Sequence, residues 1–213
     1  MDRFFDANNP LMQFLSRLVD LAVLNLMTIA CMIPVVTAGA AITAMNNVLI
    51  HIVRKDETYV WKMFLTSFRQ NLKQGVGLGL LFTAIFAFAG LELVMLHSVD
   101  AKAATLFMII ITVISLCVVA IGIYTFALLS RFENTMRGTL VNAVSLALGY
   151  IPRTLVMLLI LAAWAALLWL LQGIFLLVLL YGLTIPGYLC TRIYDPIFRS
   201  LEANEESETE QTK

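Results

Sequence analysis

Six polar or charged side chains interrupt otherwise apolar runs of this sequence: Asp20, Asn25, Asn46, Asn47, His51 and Glu92. A carboxylate or amide in such a run either bonds to another polar group or lines a path for a proton, ion or polar solute. Hydrocarbon supplies no substitute for water, so these are the two stable roles open to it. A second set, Trp61, Phe64, Phe68, Arg69 and Lys73, mixes aromatic and basic residues at helical spacing. That mixture suits a contact surface, against lipid headgroups or against a partner protein. Neither set is a catalytic constellation. The sequence has no HExxH, GxSxG, Walker A or glycine-rich dinucleotide pattern, and only two histidines. We therefore expect no enzyme and no cofactor. Cys31, Cys117 and Cys190 lie inside apolar runs without metal-ligand spacing, which predicts free thiols.

The elements that must position these residues follow from hydropathy. The 213 residues are 61% hydrophobic and 13% charged, about half the charge of a soluble domain, which averages about 25%. The mean hydropathy is +0.89, and most of the surface is expected to face a lipid bilayer. The net charge of zero gives no global footprint for nucleic acid. A spanning helix takes about 20 predominantly apolar residues. Five runs meet this plainly, near 18–36, 75–97, 104–130, 154–171 and 173–190.

A sixth run, 38–53, is short and weak, and it begins inside PVVTAGAAITAMNN at residues 34–47. Charge decides whether it crosses. With six helices and a cytoplasmic N-terminus, every Lys and Arg except Lys102 falls on the cytoplasmic side, 13 of the 14. With five helices, Arg3 and Arg17 join Lys102 outside. Six helices obey the positive-inside rule better. PVVTAG then reads as an extracytoplasmic turn, with Pro34 ending one helix and Gly39 and Ala40 beginning the next. A signal-peptide reading of Ala38-Gly39-Ala40 fails, because the preceding apolar run is longer than a secretory h-region and contains Asp20 and Asn25.

The predicted fold is an all-α polytopic membrane protein. Its six transmembrane helices form three hairpins, 18–53, 75–130 and 154–190, with interfacial amphipathic helices on the cytoplasmic side. In the first hairpin, Asn25 and Asn46 fall at the same depth, roughly 10 Å above the inner boundary. Asp20 and His51 match near that boundary, so both pairs are expected to bond across the hairpin. Glu133 is expected to pair with its neighbour Arg131. Glu92, with His97 and Asp100 close behind, marks the outer end of the third helix. Pro186-Gly187 is expected to kink or break the sixth. Residues 1–201 form one transmembrane domain. The tail 202–213, with five glutamates after residue 201, is predicted to be disordered.

Several of these features carry a resemblance. Asn25 inside the first helix, Pro34 to Ala40 at the turn, and Phe64, Ser67, Phe68, Asn71, Lys73 and Gln74 in the next segment resemble the YesL-like bacterial integral membrane proteins over about the first 75 residues. That family is functionally uncharacterised and implies no catalytic or ligand residue. The resemblance implies a multi-pass protein of the bacterial plasma membrane, and the distribution of Lys and Arg predicts both termini cytoplasmic. It also implies genomic neighbourhood with ATP-binding-cassette carbohydrate importers. The expected function is thus an accessory subunit touching the importer's permease subunits through Trp61–Lys73. The alternatives are a small transporter or channel with a polar path through the bundle, and a membrane-bound regulator.

Overall fold

Pro34 sets the first turn. The residue before a proline is disfavoured in helix, and α1 (Pro10–Met32) stops two residues short of it. The Thr37 hydroxyl closes the reversal by donating to Cys31 O at 2.6 Å and to Pro34 O at 2.8 Å. A single 3-10 turn, Val35–Thr37, leads directly into α2 (Ala38–Arg54). The questioned stretch is therefore a turn followed by a true helix, and Val35–Arg54 is long enough to span a bilayer.

The remaining helices are α3 (Val60–Gln70), α4 (Leu72–His97), α5 (Lys102–Arg131), α6 (Met136–Gly149), α7 (Ile151–Leu170), α8 (Phe175–Tyr181) and α9 (Thr184–Gln211). The computed structural model describes residues 10–56, 59–97, 102–170 and 175–211. Among these residues all regular structure is helical, and six segments are long and apolar enough to cross a membrane. The protein is a multi-pass membrane protein.

α2 is the hub. It touches α1, α3, α4, α5 and α9, and 61% of its spanning window is buried against 11–22% for the other five. This explains its weak hydropathy. A helix surrounded by protein needs small residues for close approach rather than bulky ones for lipid. The backbones of α2 and α4 meet at Gly39, Gly75 and Gly79, where a Cβ on Gly79 would lie 2.8 Å from Gly39 Cα. No side chain fits there. α2 ends at Lys55, whose φ of 64° is the left-handed cap more often given to glycine.

α3 is amphipathic, and its apolar face turns into the bundle. Val60, Phe64 and Ser67 are buried, and Val60 and Phe64 join a cluster with Leu21 and Leu24 of α1 and Leu49 of α2. α6 lies against α5 along Thr139, Ala143 and Ala147, and Pro152 falls in the first turn of α7, where its missing N–H costs nothing.

Two expectations are corrected. The run 173–190 is not one helix: it breaks after Tyr181 and restarts at Thr184. Pro186 and Gly187 lie past the break, in the opening turns of α9, where a proline is tolerated. The acidic stretch after residue 201, expected to lack structure, continues α9 as helix to Gln211. It contains neither proline nor glycine, and Glu202 anchors its start through two arginines.

Candidate functional site

The break between α8 and α9 frees carbonyls at the end of one helix and amides at the start of the next. At membrane depth each unsatisfied backbone group costs several kcal/mol. Asn25 of α1, fully buried, satisfies both sides. Its Nδ2 donates to Leu179 O at 2.8 Å and more weakly to Val178 O at 3.4 Å. Its Oδ1 accepts from the N–H groups of Leu183 at 2.9 Å and Thr184 at 3.2 Å. A side-chain amide is suited to this, since it carries donors on one atom and an acceptor on the other. Trp164 of α7 adds a third helix by donating Nε1–H to Gly182 O at 2.9 Å. Thr184 Oγ1 is the one buried side-chain N or O atom without a partner among the described residues.

Asn46 does not meet Asn25. The expected cross-hairpin pair is replaced by separate bonds to α9 and α8, because α2 and α1 both turn these residues toward the last helices. Asn46 Oδ1 accepts from the Tyr194 hydroxyl at 2.9 Å, and its Nδ2 donates to Ile42 O at 2.9 Å. Tyr194 also contacts Thr191 Oγ1 at 3.0 Å. The Asp20–His51 pair is likewise absent: His51 Nδ1 lies 2.8 Å from Asp56 Oδ2, in the turn that follows its own helix. Asp20 and Asn47 are half-buried. Glu92 is half-buried near the end of α4, and Asp100 lies outside the described residues.

Above Asn46 runs a crevice of about 410 Å³ between α2, α4, α5, α7 and α9. Its walls include Ile42, Met45, Phe82, Phe86, Leu161 and Cys190, with Asn46 among the few polar members. This crevice and the break beside it are the candidate site.

One end of the bundle carries an ion-pair network that sequence spacing did not show. Arg54 of α2 binds Asp195 through Nε at 2.7 Å and Glu202 through Nη1 at 2.9 Å. Arg131 of α5 takes Glu202 at 2.6 Å, rather than the expected Glu133, and Arg199 takes Asp195 at 2.8 Å. The Asp195 side chain is only 4% exposed. These contacts place the ends of α2 and α5 beside the same stretch of α9.

The surface set splits. Trp61 is 59% exposed, and Arg69 and Lys73 are exposed. Phe64 is fully buried, and half-buried Phe68 stacks on it at 6.1 Å. Phe64 is therefore a core residue and not a docking residue, because α3 turns its aromatic face to α1 and α2. A groove of about 300 Å³ beside the outer face of α3 is lined by Asn47, Tyr59, Lys62, Met63, Thr66, Ser67 and Gln70.

The three cysteines are free, and no group of three or more His, Cys, Asp or Glu able to hold a metal occurs among the described residues. A family profile described as "Protein of unknown function, DUF624" matches residues 21–93, the part of the chain from α1 into α4. No curated protein and no solved structure matches the chain.

Proposed function

We propose that this chain is a YesL-like protein of the bacterial plasma membrane that works by contact rather than catalysis, as an accessory subunit of a carbohydrate uptake system. Its charged end, with both termini, faces the cytoplasm, and its helices form three hairpins with α3 and α6 along the inner interface. The observation that carries the reading is the outer face of α3. There Trp61, 59% exposed, shares the exposed surface of α3 with Lys62 and Arg69. Tyr59, 77% exposed, immediately precedes the helix, and exposed Lys73 follows in the first turn of α4, while Phe64 fixes the opposite face of α3 in the core. Large aromatics beside arginine on a rigid element are the composition of contact hot spots. The occupant of that face is the permease of an ATP-binding-cassette carbohydrate importer, and the chain itself uses no cofactor.

The test is a pull-down of the tagged protein from native membranes in gentle detergent, with mass spectrometry of what co-purifies. A permease recovered stoichiometrically from wild type, and lost with Trp61→Ala plus Arg69→Ala in folded protein, is the expected result. Recovery that survives the double variant removes α3 as the contact.

A second reading, a small transporter in its own right, is favoured by the crevice and the helix break beside it. Discontinuous helices at the membrane midplane are where many transporters hold their solutes. Uptake by the purified chain in vesicles separates this reading from the first.

A further inference from the structure

We infer that the crevice above Asn46 is a binding site for a neutral, lipid-soluble molecule with a chain-like apolar body and one hydrogen-bond acceptor, a carbonyl, at its leading end. The inference is independent of the contact proposed for α3.

Size and wall chemistry give the body. The volume of about 410 Å³ lies within the range of roughly 300–1,000 Å³ typical of small-molecule sites. Ile42, Met45, Phe82, Phe86 and Leu161 make walls that offer water too few partners, and apolar cavities stay dry. A dry void forfeits the dispersion contacts of its whole lining, so an apolar occupant is favoured. The crevice reaches the bundle's lipid-facing side at Thr83 and Phe86, both exposed. Molecules dissolved in the bilayer therefore have access to it.

Asn46 gives the acceptor. It is 7% exposed and lines the crevice. Its Oδ1 is taken by Tyr194 and one N–H by Ile42 O. The second N–H of that amide has no acceptor among the described residues. Tyr194, fully buried behind it, fixes the amide's position. Asn46 is the buried donor of the crevice, the Thr83 hydroxyl being exposed at its lipid-facing side, and a buried donor among apolar walls selects a neutral acceptor. A cation finds no counter-charge there, an ionised carboxylate loses its hydration without a cationic partner, and a sugar needs many more polar groups than the walls supply.

The test uses two photoreactive probes of equal length, a long-chain methyl ketone and the matching alkane, each with a diazirine in the chain. The purified protein in lipid nanodiscs is crosslinked, and the labelled peptides are mapped by mass spectrometry. The expected result is saturable labelling by the ketone on peptides holding Met45, Phe86 or Leu161, with the ketone bound about fivefold more tightly than the alkane. Asn46→Leu is expected to abolish that preference. Gly122→Leu is expected to remove labelling altogether, because Gly122 lines the crevice, a Cβ there has the Phe82 ring as its nearest neighbour at 3.4 Å, and the rest of the side chain occupies crevice volume. Equal binding of the two probes by wild type overturns the proposal, as does unsaturable labelling spread over the lipid-facing surfaces of α5 and α7. The wild-type comparison needs no variant, so it stands even where a substitution unfolds the protein. Val113→Leu on the exposed face of α5 serves as the control that leaves labelling unchanged.

Discussion

Two polar knots hold α9 in place, and they are built on opposite principles. Beside the helix break, Asn25 and Trp164 use neutral amide and indole groups, and their partners are all backbone. At the charged end, Arg54, Arg131 and Arg199 clamp Asp195 and Glu202, and every partner is a side chain. Depth explains the difference. A charge far from the interface carries a desolvation cost that a neutral amide avoids, whereas near the rim water and headgroups offset part of it. The deep knot repairs a broken helix, and the rim knot sets which helix ends stay together.

Substitutions sharpen this contrast. The largest effect is expected from Asp195→Ala, which removes the acceptor shared by Arg54 and Arg199 and leaves Arg54, whose side chain is 13% exposed, with Glu202 as its remaining partner. Removing one partner of a buried pair costs about 3–5 kcal/mol, measurable as lost resistance to denaturant unfolding in detergent. A loss below about 1 kcal/mol would mean that Glu202 alone holds Arg54. Asn25→Leu, alike in branching but bulkier, is expected to cost about 2–3 kcal/mol by leaving buried backbone groups unpaired. Its signature is local: amide exchange at Leu183 and Thr184 should accelerate while the rim stays protected. Equal acceleration at both ends would merge the two knots into one cooperative unit.

Smaller effects come from their outer members. Trp164→Phe keeps an aromatic ring but loses the bond to Gly182 and the second ring of the indole, for about 1–2 kcal/mol. Arg131→Ala removes the most exposed clamp on Glu202, its side chain being 31% exposed, for about 0.5–1 kcal/mol. That difference should shrink in 1 M salt, where charges are screened within about 3 Å. The Asn25 effect should not shrink, because no charge is involved.

Most of the architecture was legible in the sequence. Five spans stand out by hydropathy, and the distribution of lysine and arginine recovered the sixth, α2, which hydropathy undervalues because that helix faces protein on nearly all sides. Asn25 and Asn46 stand out in the sequence as polar groups in apolar runs, and the structure gives each hydrogen-bond partners other than the expected cross-hairpin one. Their partners were not legible, because Asn25 binds backbone carbonyls and amides that look alike at every position. The break was misplaced onto Pro186-Gly187. A better signal was Gly182, a glycine inside an apolar run, together with a tryptophan whose indole N–H requires an acceptor. The rim network was hidden by distance: Arg54 and Asp195 are 141 residues apart, and periodicity carries no information over that separation. Phe64 was assigned to the surface because an amphipathic wheel shows which face is apolar, and not whether that face meets headgroups or neighbouring helices.

The two asparagines also impose an order on biosynthesis. Asn46 finds its hydroxyl partner 148 residues later in the chain, and Asn25 finds its amide partners 158 and 159 residues later. At about 5–20 residues per second, the ribosome needs roughly 10–30 s to supply them. During that interval the first two helices sit in the membrane with unmet amides, and α2 presents its glycine face before α4 has been made. A chain that stops short of α8 therefore leaves without their final partners the very groups that the finished bundle conceals.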